Sequence, residues 1–191
     1  MKATMKTTFA AITLALLAST APPAGAQQLV AAKSEIAFTS KQMGVPVDGR
    51  FRKFDAQLAF DPKKPEAATI ALTIDLASVA LGVAETEAEL AKPDWFSTRQ
   101  FPQATFQSTS VKPAGAGRFD VTGKLAIKGA ARDVVVPVVV AQAGGTTTAT
   151  GSFVIKRLDY RIGDGDWKDT SMVANDVQVK FKLTLTGVAA L

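Results

Sequence analysis

The chain contains neither cysteine nor histidine. Those absences remove Ser-His-Asp and Cys-His nucleophile systems, and His- or Cys-ligated zinc, copper and haem. They also exclude disulfide staples and a lipoprotein anchor on cysteine. An enzyme that works with carboxylates, lysine or tyrosine is the only catalytic class left open.

Long hydrophobic runs are missing as well. Lys2 and Lys6 precede an apolar stretch, Phe9 to Ala18, too short to span a bilayer, and Ala24-Gly25-Ala26 has the A-x-A form of a cleavage site. Residues 1–26 are expected to be a cleaved signal peptide, leaving residues 27–191 as one exported, soluble domain. Strong charge is lacking too. The formal net charge is +5, of which Lys2 and Lys6 supply two, and the remaining basic residues are scattered. A nucleic-acid partner is therefore not expected, whereas a weak, transient attraction to an anionic membrane surface is compatible with this balance.

What the chain has in quantity is alternation. From Asp176 to Gly187, Val177, Val179, Phe181, Leu183 and Leu185 alternate with Gln178, Lys180, Lys182, Thr184 and Thr186. Period two gives one apolar and one wet face, the mark of an antiparallel strand in a one-sided sheet. Similar segments fall at 29–40, 47–60, 68–75, 103–112, 119–127, 133–141 and 146–156. In the second, the apolar phase slips between Phe51 and Phe54, which predicts a bulge that bends the strand. Thr86 and Glu89 have the spacing of a capping box, and Lys92 before Pro93 ends a short helical insertion. The run Val134 to Val140 is apolar on both faces, so its outer face is expected to be covered by the helix or by another subunit, for instance in a homodimer. Pro137 within it cannot donate to a ladder and belongs at an edge or bulge.

Eight strands with short turns predict an all-β fold: an eight-stranded antiparallel up-and-down barrel with one short helical insertion. Eight staves enclose an interior that side chains fill or that holds one small ligand, and alternation is compatible with both.

Several segments carry a resemblance. They are Ser34-Glu35-Ile36-Ala37-Phe38, Gly49-Arg50-Phe51, Asp75-Leu76-Ala77-Ser78-Val79, Asp94-Trp95-Phe96, and Phe101-Pro102 continuing to Thr109. Val121 to Leu125 with Lys128-Gly129, Lys156 to Tyr160 with Ile162-Gly163, and the final strand complete the series. Together and in this order the chain resembles the YceI-like family of lipocalin-like, polyisoprenoid-binding periplasmic proteins. Gln42 stands where many members carry histidine, and Arg161 where many carry glycine. The resemblance implies a lipocalin-like barrel domain over 27–191, a periplasmic location and a long apolar cavity. It also implies a binding or carrier role without catalysis, with an isoprenoid lipid or quinone as partner and no other cofactor or metal.

The inward phases supply the expected cavity lining: Phe38, Phe51, Ile70, Leu72, Ile74, Phe106, Phe119, Val121, Leu125, Phe153, Ile155, Val179 and Phe181. Without the resemblance, the same residues read as an ordinary packed core. Gly49 and Gly123, on the inward phase, are expected to leave room for a lipid tail or to mark bends. Trp95 and Phe96, with Phe101, either gate the mouth or anchor the helix. Arg157, Tyr160 and Trp167 are the headgroup candidates from the long segment 157–175. Arg157 is expected to pair with Asp159 or Asp176, or to meet a headgroup. Asp164, Asp166 and Asp169 hint at calcium or at paired-carboxylate catalysis on a lipid or sugar, but their spacing fails the EF-hand pattern and aspartates in Gly-rich turns ordinarily serve turn geometry. A third reading makes the valine-rich sixth strand a docking face for another protein.

Overall fold

The computed structural model describes residues 27–191; the expected signal peptide lies outside the described residues. Eleven strands form one curled antiparallel sheet. They are β1 (Gln28–Leu29), β2 (Glu35–Gln42), β3 (Val45–Phe51), β4 (Phe54–Ala59), β5 (Thr69–Asp75), β6 (Val79–Ala80), β7 (Gln103–Gly115), β8 (Arg118–Ile127), β9 (Ala130–Ala143), β10 (Thr146–Lys156) and β11 (Asp176–Thr186). One helix, α1 (Ala84–Leu90), lies between β6 and β7. The spatial order is β4-β5-β7-β8-β9-β10-β11-β2-β3-β6, with β1 beside β11.

The expected eight staves are all present, and the higher count has three local causes. The first stave is broken by a 3-10 turn at Ala31–Lys33, and β6 is a two-residue extra. The second divides where its phase slips: β3 pairs with β2, and β4 pairs with β5 at the opposite end of the sheet. Arg52 and Lys53 are thus the corner at which one bent stave joins the two ends, so the expected bulge is a full change of partner. Beyond the other end of β4, the Gln27 side chain donates from Nε2 to the Phe60 carbonyl at 2.7 Å and accepts from the Phe60 N–H at 2.9 Å. It imitates a backbone ladder across the seam between β4 and β1.

Pro137 marks another division. β9 and β10 are paired from Ala143–Thr146 as far as Val138–Gly151 and no further. The residue that cannot donate stands where the two strands part, while its other edge continues on β8 opposite Asp120. The outer valines of β9, Val135 and Val139, remain exposed. The helix therefore does not cover them, which corrects one of the two covers expected from the sequence, the helix or another subunit.

Three two-residue hairpins have positive φ at both tip residues: Met43-Gly44, Lys128-Gly129 and Gly144-Gly145. This is the primed turn that matches strand twist. The helix begins three residues earlier than a Thr86 cap would place it, with Val83 as N-cap. Glu87, rather than Glu89, reaches back: its Oε1 accepts from the N–H groups of Leu81 and Gly82 at 2.8 and 3.0 Å. Those bonds hold the Glu87 carboxyl below its ordinary pKa.

An apolar cavity with one polar mouth

Alternation points one residue in two into the curl, and there the inward side chains surround a cavity of about 330 Å³. All thirteen residues expected to line it do so. β11 lines the whole length through Val177, Val179, Phe181, Leu183 and Leu185, a run of roughly 26 Å at strand rise. At the far end Phe60 meets Phe119 edge-to-face, centroids 5.1 Å apart. Towards the other end Phe38, Phe51 and Phe96 form a chain of tilted rings, with centroids 5.6 and 6.1 Å apart.

The inward glycines do not leave the expected empty room. A Cβ on Gly49 would overlap the Phe38 ring, one on Gly123 the Phe106 ring, and one on Gly151 the Phe181 ring. Each phenylalanine lies across bare backbone on a neighbouring strand. The glycines let large rings lie back along the wall rather than project into the lumen.

Most polar side chains in the lining gather at one end; Thr147, opposite Leu185 at the other end, accepts from Gln142 Nε2 at 3.0 Å. Ser40 and Gln42 come from β2, and Thr86 and Glu89 from α1. Trp167 and Val173 of the segment 157–175 border the same mouth. Sequence reasoning missed these four polar positions. Ser40 and Gln42 continue the inward phase of Ile36 and Phe38, a signal that was available; the facing of α1 depends on tertiary packing.

The aromatic candidates divide between roles. Phe96 is buried against Phe51, whereas Trp95 packs on Trp167 with centroids 5.4 Å apart, and both tryptophans line the mouth. Trp95 Nε1 is buried without an acceptor among the described residues. Phe101 packs outside the lining, against Gly129.

Arg157 is one of the three most completely buried large side chains. It pairs with neither Asp159 nor Asp176. Its Nε donates to the Ala174 carbonyl, one terminal nitrogen to the carbonyls of Ile162 and Gly163, and the other to those of Trp167 and Val173, at 2.6 to 3.2 Å. All five N–H donors are spent on backbone, which leaves none for a ligand. The guanidinium thus holds the segment 157–175 in shape, and its burial lowers its pKa. The headgroup expectation for Arg157 is corrected accordingly.

Tyr160 is also displaced from its expected role. It is buried in the 3-10 turn Arg157–Tyr160, outside the cavity lining, and burial pushes its pKa up to about 12. Lys128, noted in the sequence only as part of the resemblance, ties two loops together. Its ammonium donates to the Arg161 carbonyl at 2.6 Å and the Asp94 carbonyl at 3.2 Å, with Asp164 at 3.9 Å. Burial lowers its pKa, and Asp164 and Asp94 oppose the shift.

Two aspartates of this segment, Asp169 and the Asp164 that faces Lys128, have structural contacts. Asp169 accepts from the Ser171 N–H and hydroxyl, closing a turn. Among the described residues no three carboxylates converge as a metal cluster would require.

Comparison with known proteins agrees with this architecture. A UPF0312 protein of Azotobacter vinelandii is 39% identical over 88 residues, covering 46% of either chain. Protein YceI of Escherichia coli O157:H7 is 41% identical over 86 residues, covering 45% of this chain and 44% of that protein. Both alignments thus span less than half of the relative's length. Burkholderia cenocepacia BcnA superposes with a TM-score of 0.80 at 48% identity, over 82% of this chain and 99% of that one. A polyisoprenoid binding domain from Saccharophagus degradans superposes with a TM-score of 0.70 over 84% of this chain and 98% of that one; at 20% identity the likeness is one of fold. The YceI-like domain model matches residues 28–185, nearly the whole of the described sheet, and the chain belongs to that family.

Proposed function

We propose that this protein is a periplasmic carrier that holds one isoprenoid lipid, with the tail in the cavity and the head at the mouth. The observation that carries the reading is the distribution of polarity. The lumen is apolar along the length of β11, and Ser40, Gln42, Thr86 and Glu89 gather where the head of a threaded lipid would rest. Each buried methylene contributes on the order of 0.8 kcal/mol, offset in part by the entropy of ordering the chain.

The head is uncharged in this reading. Arg157, the one cation in the lining, has no N–H to offer, and the Glu89 carboxylate, ion-paired with Lys92, gives an anion no favourable contact. A quinone or a neutral precursor suits the hydrogen-bonding groups at the mouth better than a prenyl diphosphate does. Binding requires no catalytic residue, metal or further cofactor. The periplasmic location rests on the N-terminal export signal.

Organic extraction of protein purified from its own periplasm, followed by mass spectrometry, tests this directly. A stoichiometric neutral prenyl lipid supports the reading. A clean apo mass, with no uptake of added isoprenoid quinone, overturns it.

A further inference from the structure

Two residues at the mouth break local rules without intramolecular compensation. Met43 is the first tip residue of the β2–β3 hairpin, at φ 47°. That position favours Asn, Asp or Gly, and an unbranched apolar side chain there is strained. Lys128 occupies the equivalent tip position at φ 49°, but its ammonium is held by the carbonyls of Asp94 and Arg161. Met43 has no such recompense: its side chain is 65% exposed. Val83 is the N-cap of α1, where Ser, Thr, Asp or Asn would satisfy a helix N–H. It makes no side-chain cap bond and is 51% exposed.

Both lie on the same rim. β6 runs antiparallel to β3, so the chain leaving Ala80 heads towards the hairpin tip and reaches Val83 three residues later. Val45 follows the tip and is exposed. Met172, exposed on the segment 157–175, is stitched to the hairpin through its own carbonyl, which accepts the Met43 N–H at 2.8 Å. The hairpin backbone therefore loses little on leaving water.

We infer that Met43, Val45, Val83 and Met172 form an apolar rim that docks the cavity mouth on a lipid bilayer. The inference rests on the carrier reading for its purpose. A cargo bound by its tail must leave a membrane through an opening that meets that membrane, and this rim is continuous with the cavity. Local charge points to a neutral lipid surface. Across residues 41–48, 83–90 and 157–175, Lys41, Arg157, Arg161 and Lys168 are outnumbered by Asp48, Glu85, Glu87, Glu89, Asp159, Asp164, Asp166 and Asp169. Docking is then driven by apolar burial, and anionic lipid weakens it.

The experiment compares the mature protein with Met43→Asn and with Met43→Asn/Met172→Ser. Sedimentation with phosphatidylcholine vesicles reads docking, and quinone uptake from detergent micelles reads the cavity. Asn suits the turn, so Met43→Asn should leave the melting temperature unchanged or raised, which separates lost docking from lost folding. The expected result is about tenfold weaker vesicle binding for the double variant, with micellar uptake unchanged. Wild-type uptake from micelles without vesicle binding overturns the rim inference alone. So does binding that the variants retain, or a rim buried instead in a homodimer or hetero-complex by native mass. Vesicle binding without uptake from micelles or vesicles leaves docking standing and overturns the carrier reading.

Discussion

Phe38 lies flat across Gly49, its register partner on the adjacent strand, so that a single added methyl on the glycine would collide with the ring. The pair sits in the cavity wall, and Phe106 with Gly123 and Phe181 with Gly151 repeat it. Gly49→Ala, Gly123→Ala and Gly151→Ala should each force a ring from the wall into the lumen. The expected cost is about 1–3 kcal/mol of stability, seen as a lower melting temperature, together with reduced cargo stoichiometry by mass spectrometry. Pairing Gly49→Ala with Phe38→Leu should recover part of both losses, and a double-mutant cycle measures the coupling.

Tyr160 is the sole tyrosine, so tyrosinate absorbance reports one site. The folded protein should titrate near a midpoint of about 12, and the urea-unfolded chain near the ordinary value of about 10. Because the folded-state value is raised, the stabilisation is complete below the unfolded pKa and is lost as pH climbs from about 10 to about 12, a change of about 3 kcal/mol. Lys128 acts in the opposite sense, since burial lowers its pKa and the folded state gains when the amine gives up its proton. A folded-state midpoint near 10 would contradict the burial described for Tyr160.

Arg157→Met should leave five carbonyls without their donor and unfasten the segment 157–175 from the barrel. A loss of about 3–5 kcal/mol is expected, with new proteolytic cleavage confined to that segment. Arg157→Lys should rescue little, because one ammonium cannot reach carbonyls spread around a planar fork. Unchanged protease resistance in both variants would refute the fastening role.

Gln27→Ala removes both bonds across the seam to Phe60. About 1–2 kcal/mol of destabilisation is expected, with faster hydrogen exchange at the Phe60 amide while the β7–β8 ladder stays protected.

The wall of this cavity was legible in the chain because period two leaves little freedom. Once Val179 and Phe181 are inward, their partners Phe38 and Ile36 on β2 must be inward too. The valine run hid its own phase: Val136, Val138 and Val140 line the cavity, but apolar residues on both faces erased the alternation that would have said so. The slip between Phe51 and Phe54 was visible, yet a bulge and a change of partner leave the same trace in sequence. Arg157 was misjudged for a different reason. Charge alone suggests Asp159 or Asp176 as its partner, whereas its true partners are carbonyls, which every residue carries and no composition records. The polar groups of α1 were invisible because the direction a seven-residue helix faces is decided by the barrel it rests on.

The Gln27–Phe60 bridge sets where the barrel can change girth. Around most of the circumference, widening means unzipping a ladder of paired residues. At this seam it requires only that one side chain release two hydrogen bonds, while the Arg52–Lys53 corner keeps the bent stave in one piece. The wall is thus built as a collar with a clasp: releasing Gln27 from Phe60 leaves every strand ladder paired.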